Sequence, residues 1–161
     1  MKYRFFILFF FVAAMMMFGC DKKQPMEPAP NPDQQLEQAR NATAKYLDIK
    51  QAFADGYANI HVVVPKMGHH YLKSTWLDAT FDHQRPELLV YAAIPDTNHL
   101  QLVAVEYAVP TNLAATPPEG FDGKQDEWDR NDTFGLWTLH AWVWLPNPDG
   151  VFADTNPRLP N

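Results

Sequence analysis

Residues 87–109, ELLVYAAIPDTNHLQLVAVEYAV, decide the fold. Two runs rich in β-branched and aromatic residues, Glu87–Ile94 and Leu100–Val109, flank the turn residues Pro95-Asp96-Thr97-Asn98. That pattern predicts an antiparallel hairpin. Strand parity then sorts the second run, placing Val103, Val105, Tyr107 and Val109 on one face and Leu102, Ala104, Glu106 and Ala108 on the other. Glu106 is the discordant member, because burying a carboxyl is costly unless a histidine, arginine, tyrosine or metal pairs with it.

Downstream of the hairpin, residues 110–133 hold three prolines and two glycines that interrupt any element, so a long acidic surface loop is expected. Its carboxylates lack the spacing and central glycine of an EF-hand, which favours solvated charge over a calcium loop. Leu136–Leu145 follows as a further strand, with Thr138, His140, Trp142 and Trp144 alternating against Leu139, Ala141, Val143 and Leu145. Asp149-Gly150 turns the chain out of the sheet, and the tail beyond it is expected to lie on the surface or fray.

Upstream, Leu36, Ala39, Thr43, Tyr46, Leu47, Phe53 and Tyr57 recur at helical spacing, predicting one amphipathic helix over about 33–55, started at Asn31-Pro32-Asp33 and stopped at Asp55-Gly56. Ile60–Val64 reads as a strand ended by Pro65, and Tyr71-Leu72 as a loop or a second short strand. The expected fold class is α+β: one N-terminal amphipathic helix packed on an antiparallel sheet of four to five strands. The alternative is a small β-barrel with a helix at one end.

The N-terminus reads as a targeting segment. Basic Lys2 and Arg4 precede the unbroken apolar run Phe5–Phe18, then Gly19 and Cys20. Met17-Phe18-Gly19-Cys20 resembles the lipobox of bacterial lipoproteins, in which the cysteine is acylated, as with palmitate, and becomes the first residue. The apolar run is shorter than the ~20 residues of a spanning helix, which favours a signal peptide. The expected organisation is a signal peptide over 1–19, a lipidated Cys20 with a Pro-rich tether over 20–32, and one globular domain over 33–161. Cys20 is the only cysteine, so the domain has neither a disulfide framework nor a thiol nucleophile. The expected location is the bacterial cell envelope, where a lipid anchor holds the domain on the periplasmic or cell-surface side of a membrane. Without Lys2 and Arg4, eleven basic residues face nineteen acidic ones, a formal net charge of about −8. With no basic stripe interleaved with aromatics, nucleic acid is excluded as a partner.

Separated segments of the domain share an order: Met67-Gly68-His69-His70-Tyr71, Pro86-Glu87-Leu88-Leu89-Val90-Tyr91, Val105-Glu106-Tyr107, Leu139-His140-Ala141-Trp142 and Asn147-Pro148-Asp149-Gly150-Val151-Phe152. Together they resemble a family of uncharacterised secreted proteins and lipoproteins, a resemblance that brings no activity with it. Within that pattern His70 is the matching histidine and His69 sits at a variable position. Lys66 stands where the pattern has glycine.

Among the six histidines, His61, His83 and His99 lie in polar or edge positions, where solvent exposure is the expectation. His70 and His140 with Glu106 form a two-histidine, one-carboxylate candidate set of the kind that suits zinc, copper or non-haem iron, with His69, Met67 and Glu87 as possible additional ligands. No HxH or HExxH spacing supports that set, and core hydrogen bonding explains the same residues without a metal. Glu87 with Glu106 is also a candidate acid–base pair for glycan chemistry. No GxSxG elbow or Gly-rich phosphate loop is present, and the only serine is Ser74. The sequence therefore points first to a small ligand-binding or metal-binding lipoprotein. A metal-dependent enzyme using a His/Glu site, or a structural envelope protein that binds another protein, are the alternatives.

Overall fold

The computed structural model describes residues 32–94, 99–123 and 125–161. Among them, six strands form one antiparallel sheet: β1 (Ala58–Val64), β2 (Gly68–Leu72), β3 (Leu88–Ala93), β4 (Leu100–Pro110), β5 (Asp129–Asn131) and β6 (Leu136–Ala141). Their order across the sheet is β1-β2-β3-β4-β6-β5. The α+β class holds, while the strand count of four to five is corrected to six. The unforeseen strand is β5, cut from the segment read as loop. Asp129 and Arg130 are exposed on this edge strand, so its place is set by backbone pairing to β6 and leaves no hydrophobic alternation to detect. The turn 95–98 lies outside the described residues, but the β3–β4 ladder around it matches the expected hairpin. The sheet curls as a half-barrel without closing, and β1 and β5 are its ends.

The expected single helix over 33–55 is three pieces: α1 (Pro32–Thr43), a 3-10 turn (Ala44–Leu47) and α2 (Ile49–Ala54). Asp48 makes the break. Its backbone is extended and its carboxylate accepts from the Lys50 backbone N–H at 3.0 Å, so it caps a new helix rather than continuing the old one. As a result the apolar period slips, and Leu47 and Phe53 are exposed instead of core-facing. The stop at Gly56 is as expected: Gly56 takes φ +92°, with Gly56 N–H to Phe53 O and Tyr57 N–H to Ala52 O closing the helix end.

These helices cover one face of the sheet. Ala39, Tyr46 and Ala52 pack on Tyr71, Leu89, Val105 and Leu139, all buried. The tyrosines at this interface keep their hydroxyls satisfied as they desolvate: Tyr57 donates to Pro86 O at 2.6 Å, Tyr91 to Tyr46 O at 2.6 Å and Tyr107 to His83 O at 2.8 Å. Each thus contributes aromatic burial without an orphaned polar atom.

A bulge revises the β4 parity. Val90 pairs with Ala104 but Tyr91 pairs with Leu102, so Val103 is the extra residue. Beyond it Leu102 joins the helix-side core, while Val103 joins Val90, Ala92, Ala104, Trp142 and Leu159 in a second core. Residues Val105–Val109 keep the expected alternation. The strand parity expected over 136–145 likewise ends early, at Ala141. The chain then stays alongside β4, Trp144 and Leu145 N–H both donating to Val103 O, and Trp144 lies on the helix side, where its indole N–H donates to Thr43 Oγ1.

Nor does the tail fray. Asn156 is fully buried, its N–H donating to Lys66 O at 2.8 Å and its amide to Pro146 O at 3.3 Å, while Leu159 is buried in the second core. Lys66 takes φ +60°, a left-handed conformation that glycine adopts without steric cost.

Candidate functional site

The face of the sheet away from the helices is concave and carries the candidate residues. Register places them side by side: His70 pairs with Val90 on β3, and Glu106 pairs directly with His140 across β4 and β6. All three line a groove of about 820 Å³, together with Met67 and residues from both end strands, such as Val62 on β1 and Asp129 on β5. That β1 and β5 wall the same space follows from the curl of the sheet.

His70 is buried, with Nδ1 3.2 Å from Val62 O and Nε2 3.2 Å from Met67 Sδ and 3.5 Å from Glu106 Oε2. If Nδ1 carries the proton and donates to Val62 O, the Nε2 lone pair faces Glu106. Burial lowers the His70 pKa, so the ring is held neutral rather than as a cation. Glu106 is 13% exposed, open only to the groove, and burial pushes its carboxyl up to about 7, with Asp154 and Asp129 adding repulsion. With His70 neutral and 3.5 Å between Nε2 and Oε2, the His70–Glu106 contact is a loose one rather than a strong ion pair.

His140 is the exceptional residue. It is only 5% exposed, its ring lies 4.7 Å from that of Trp142 at a tilt of 50°, and neither ring nitrogen has a hydrogen-bond partner. Burial drives its pKa down to about 3, so at physiological pH it presents one N–H donor and one lone-pair acceptor, both unused. Leaving such groups unsatisfied costs about 1–3 kcal/mol. Trp128 Nε1, outside the groove, is in the same state.

The remaining candidates do not join this set. Glu87 is buried away from the groove, accepting from Ala108 N–H at 3.0 Å, and burial raises its carboxyl to about 8. Leu88, not Glu87, is the register partner of Glu106, so the two glutamates fall on opposite parities and cannot flank one glycosidic bond. His69 pairs with Tyr91 at the parity opposite to His70 and does not line the groove. His83, expected in solvent, is half-buried and bonds Gln38 through Nε2 at 2.6 Å. Cys20 lies outside the described residues, as do the stretches 1–19 and 21–31 expected to be signal peptide and tether, whereas Pro32 begins α1.

No protein-family model, no curated protein and no solved structure matches this chain.

Among the described residues, no three His, Cys, Asp or Glu side chains are grouped as the ligands of a metal ion. His70, Glu106 and His140 share one face, with His70 Nε2 3.5 Å from Glu106 Oε2 and both ring nitrogens of His140 unpartnered. Among the groove residues not foreseen from the sequence are the acids Asp129 and Asp154. The first sits in the acidic stretch read as solvated, the second in the tail read as surface, and only the β5–β6 pairing and the docked tail bring them to the mouth. Among the described residues, no helix is long and apolar enough to cross a membrane.

Proposed function

We propose that this chain is a lipid-anchored bacterial envelope protein of the secreted and lipoprotein type it resembles, and that its domain binds a small ligand in the concave groove without catalysing its conversion. The observation that carries the binding reading is His140: a neutral imidazole with donor and acceptor both unpartnered, on the floor of a cavity of about 820 Å³. Small-molecule sites are concave, largely apolar and equipped with a few convergent polar groups, and this groove has that make-up. A transition-metal occupant is the weaker reading, because no three ligand side chains are grouped for it among the described residues.

The test uses the chain as its cell makes it. Native mass spectrometry of the detergent-extracted protein is expected to show a small co-purifying ligand, lost in His140→Leu. Elemental analysis of the same sample is expected to show no stoichiometric transition metal. Ligand-free wild type, or equal retention by the variant, would remove the groove as a binding site. For the anchor, Cys20→Ser is expected to move the protein to the soluble fraction; retention after a carbonate wash would refute lipidation at Cys20.

A further inference from the structure

We infer that the ligand of this groove is an organic cation, an amine whose ammonium head is received by Glu106, Asp129 and Asp154 and whose apolar body lies along β1 and β2. The inference rests on the binding role proposed for the groove and names the ligand's chemistry.

Charge is the first support. Four carboxylates line the groove, Glu106, Asp129, Asp132 and Asp154, against one basic group, Arg130. Arg130 is already engaged: its Nε donates to Asp132 Oδ1 at 2.7 Å and its guanidinium lies 5.5 Å from the Trp137 ring. Among the described groove residues, no other lysine or arginine faces Glu106, Asp129 and Asp154. Asp129 and Asp154 stand at the mouth and Glu106 on the floor, and the charges of the two aspartates repel that of Glu106. A positive charge among them removes that repulsion, whereas an anionic ligand would add to it.

The second support is independent of charge. His140, nine-tenths buried and register partner of Glu106, has a lone pair that nothing in the protein uses. Both nitrogens are closed off as the ring lies, so an ammonium group, with N–H donors and no acceptor, reaches that lone pair beside the carboxylate oxygens once the ring turns toward the groove. The third support is the rest of the cavity. Ile60, Val62, Leu72 and Leu77 line it on the β1–β2 side and are only half-buried, an apolar wall facing the groove. A bare metal ion leaves such a wall unused, and an alkyl or aryl body covers it.

Three six-carbon probes that differ only in the head group test this on the folded chain: n-hexylammonium, hexanol and hexanoate. Binding is followed by the His140 ring resonances in NMR and by calorimetry. Hexylammonium is expected to bind at least ten-fold more tightly than hexanol, and hexanoate more weakly than either. In the paired variant Asp129→Asn/Asp154→Asn, both positions at the exposed mouth, the preference for hexylammonium over hexanol is expected to fall several-fold, while hexanol binding is retained. Equal affinities for all three probes, or a preference for hexanoate, would overturn the cation inference while leaving the groove a ligand site. Failure of all three to shift His140 would overturn both readings. Zinc or calcium that displaces hexylammonium stoichiometrically at micromolar concentration would assign the carboxylates to a metal and overturn the inference.

Discussion

The two faces of one sheet treat their polar groups in opposite ways. On the helix-covered face, Tyr57, Tyr91 and Tyr107 bury their rings and place each hydroxyl on a backbone carbonyl. On the concave face, His140 is buried as deeply with both nitrogens unused, and Glu106 holds a carboxyl no closer than 3.5 Å to His70. The same strands supply both sets at alternate positions, Tyr107 beside Glu106 on β4 and Leu139 beside His140 on β6. Burial alone therefore does not separate structural from functional polar groups; satisfaction does. Trp128 shows that an orphaned atom can also occur away from the groove, so the concave face is distinguished by having its orphan inside a cavity.

The comparison breaks most visibly under large truncation. Tyr91→Ala on the covered face is expected to cost about 3–5 kcal/mol, as large aromatic deletions do, and to leave Tyr46 O without its donor. His140→Leu on the concave face is expected to be neutral or stabilising by about 1 kcal/mol, since it removes an unsatisfied polar group, while ligand binding is lost. Urea denaturation of the two variants decides it. A His140→Leu variant as unstable as Tyr91→Ala would make His140 a structural residue.

Acid comes next. The folded pKa of His140 lies near 3, below that of an exposed imidazole, so between the two values the unfolded chain binds the extra proton and stability falls as pH is lowered. From pH 6.5 to pH 4 this one residue is expected to remove about 3 kcal/mol, and His140→Leu to flatten that limb of the stability curve. Glu106 acts with the opposite sign. Its folded pKa near 7 lies above the unfolded value, so its destabilising effect develops as pH rises from about 4.5 through 7. Glu106→Gln is expected to gain stability relative to wild type at pH 8 and none at pH 4. Equal gains at both pH values would show that Glu106 does not titrate where its burial places it.

A smaller effect sharpens the backbone that presents His70. Gly68 has φ +132°, and a Cβ there would lie 2.5 Å from Tyr91 O, so Gly68→Ala is expected to cost about 2 kcal/mol or more and to broaden the His70 resonances. Lys66→Gly should do least. It relieves a left-handed lysine but loosens the unfolded chain, so a net gain of no more than about 1 kcal/mol in thermal unfolding is expected.

Much of this was legible in the sequence. The hairpin of residues 87–109 showed itself because β-branched alternation interrupted by turn residues has no other good solution, and Glu106 stood out because parity placed it among apolar neighbours. His70 and His140 were recognisable as histidines in apolar or turn contexts. Other features are carried by no local pattern. Asp48 ended the first helical stretch because a cap competed with an intact apolar period. The bulge at Val103 reversed the parity of Leu102, since one added residue exchanges the faces of everything beyond it.

By itself, then, the sequence determined an antiparallel α+β core and the side-chain chemistry available on each strand face, because these depend on periods of two and 3.6 residues within short windows. Tertiary structure alone decided which chemistry meets. The register of β4 against β6 set Glu106 opposite His140, the curl of the sheet brought β1 and β5 to one groove, and the docked tail carried Asp154 to its mouth. Those juxtapositions join residues far apart in the chain through backbone pairing and sheet twist, neither of which leaves a mark on the order of side chains.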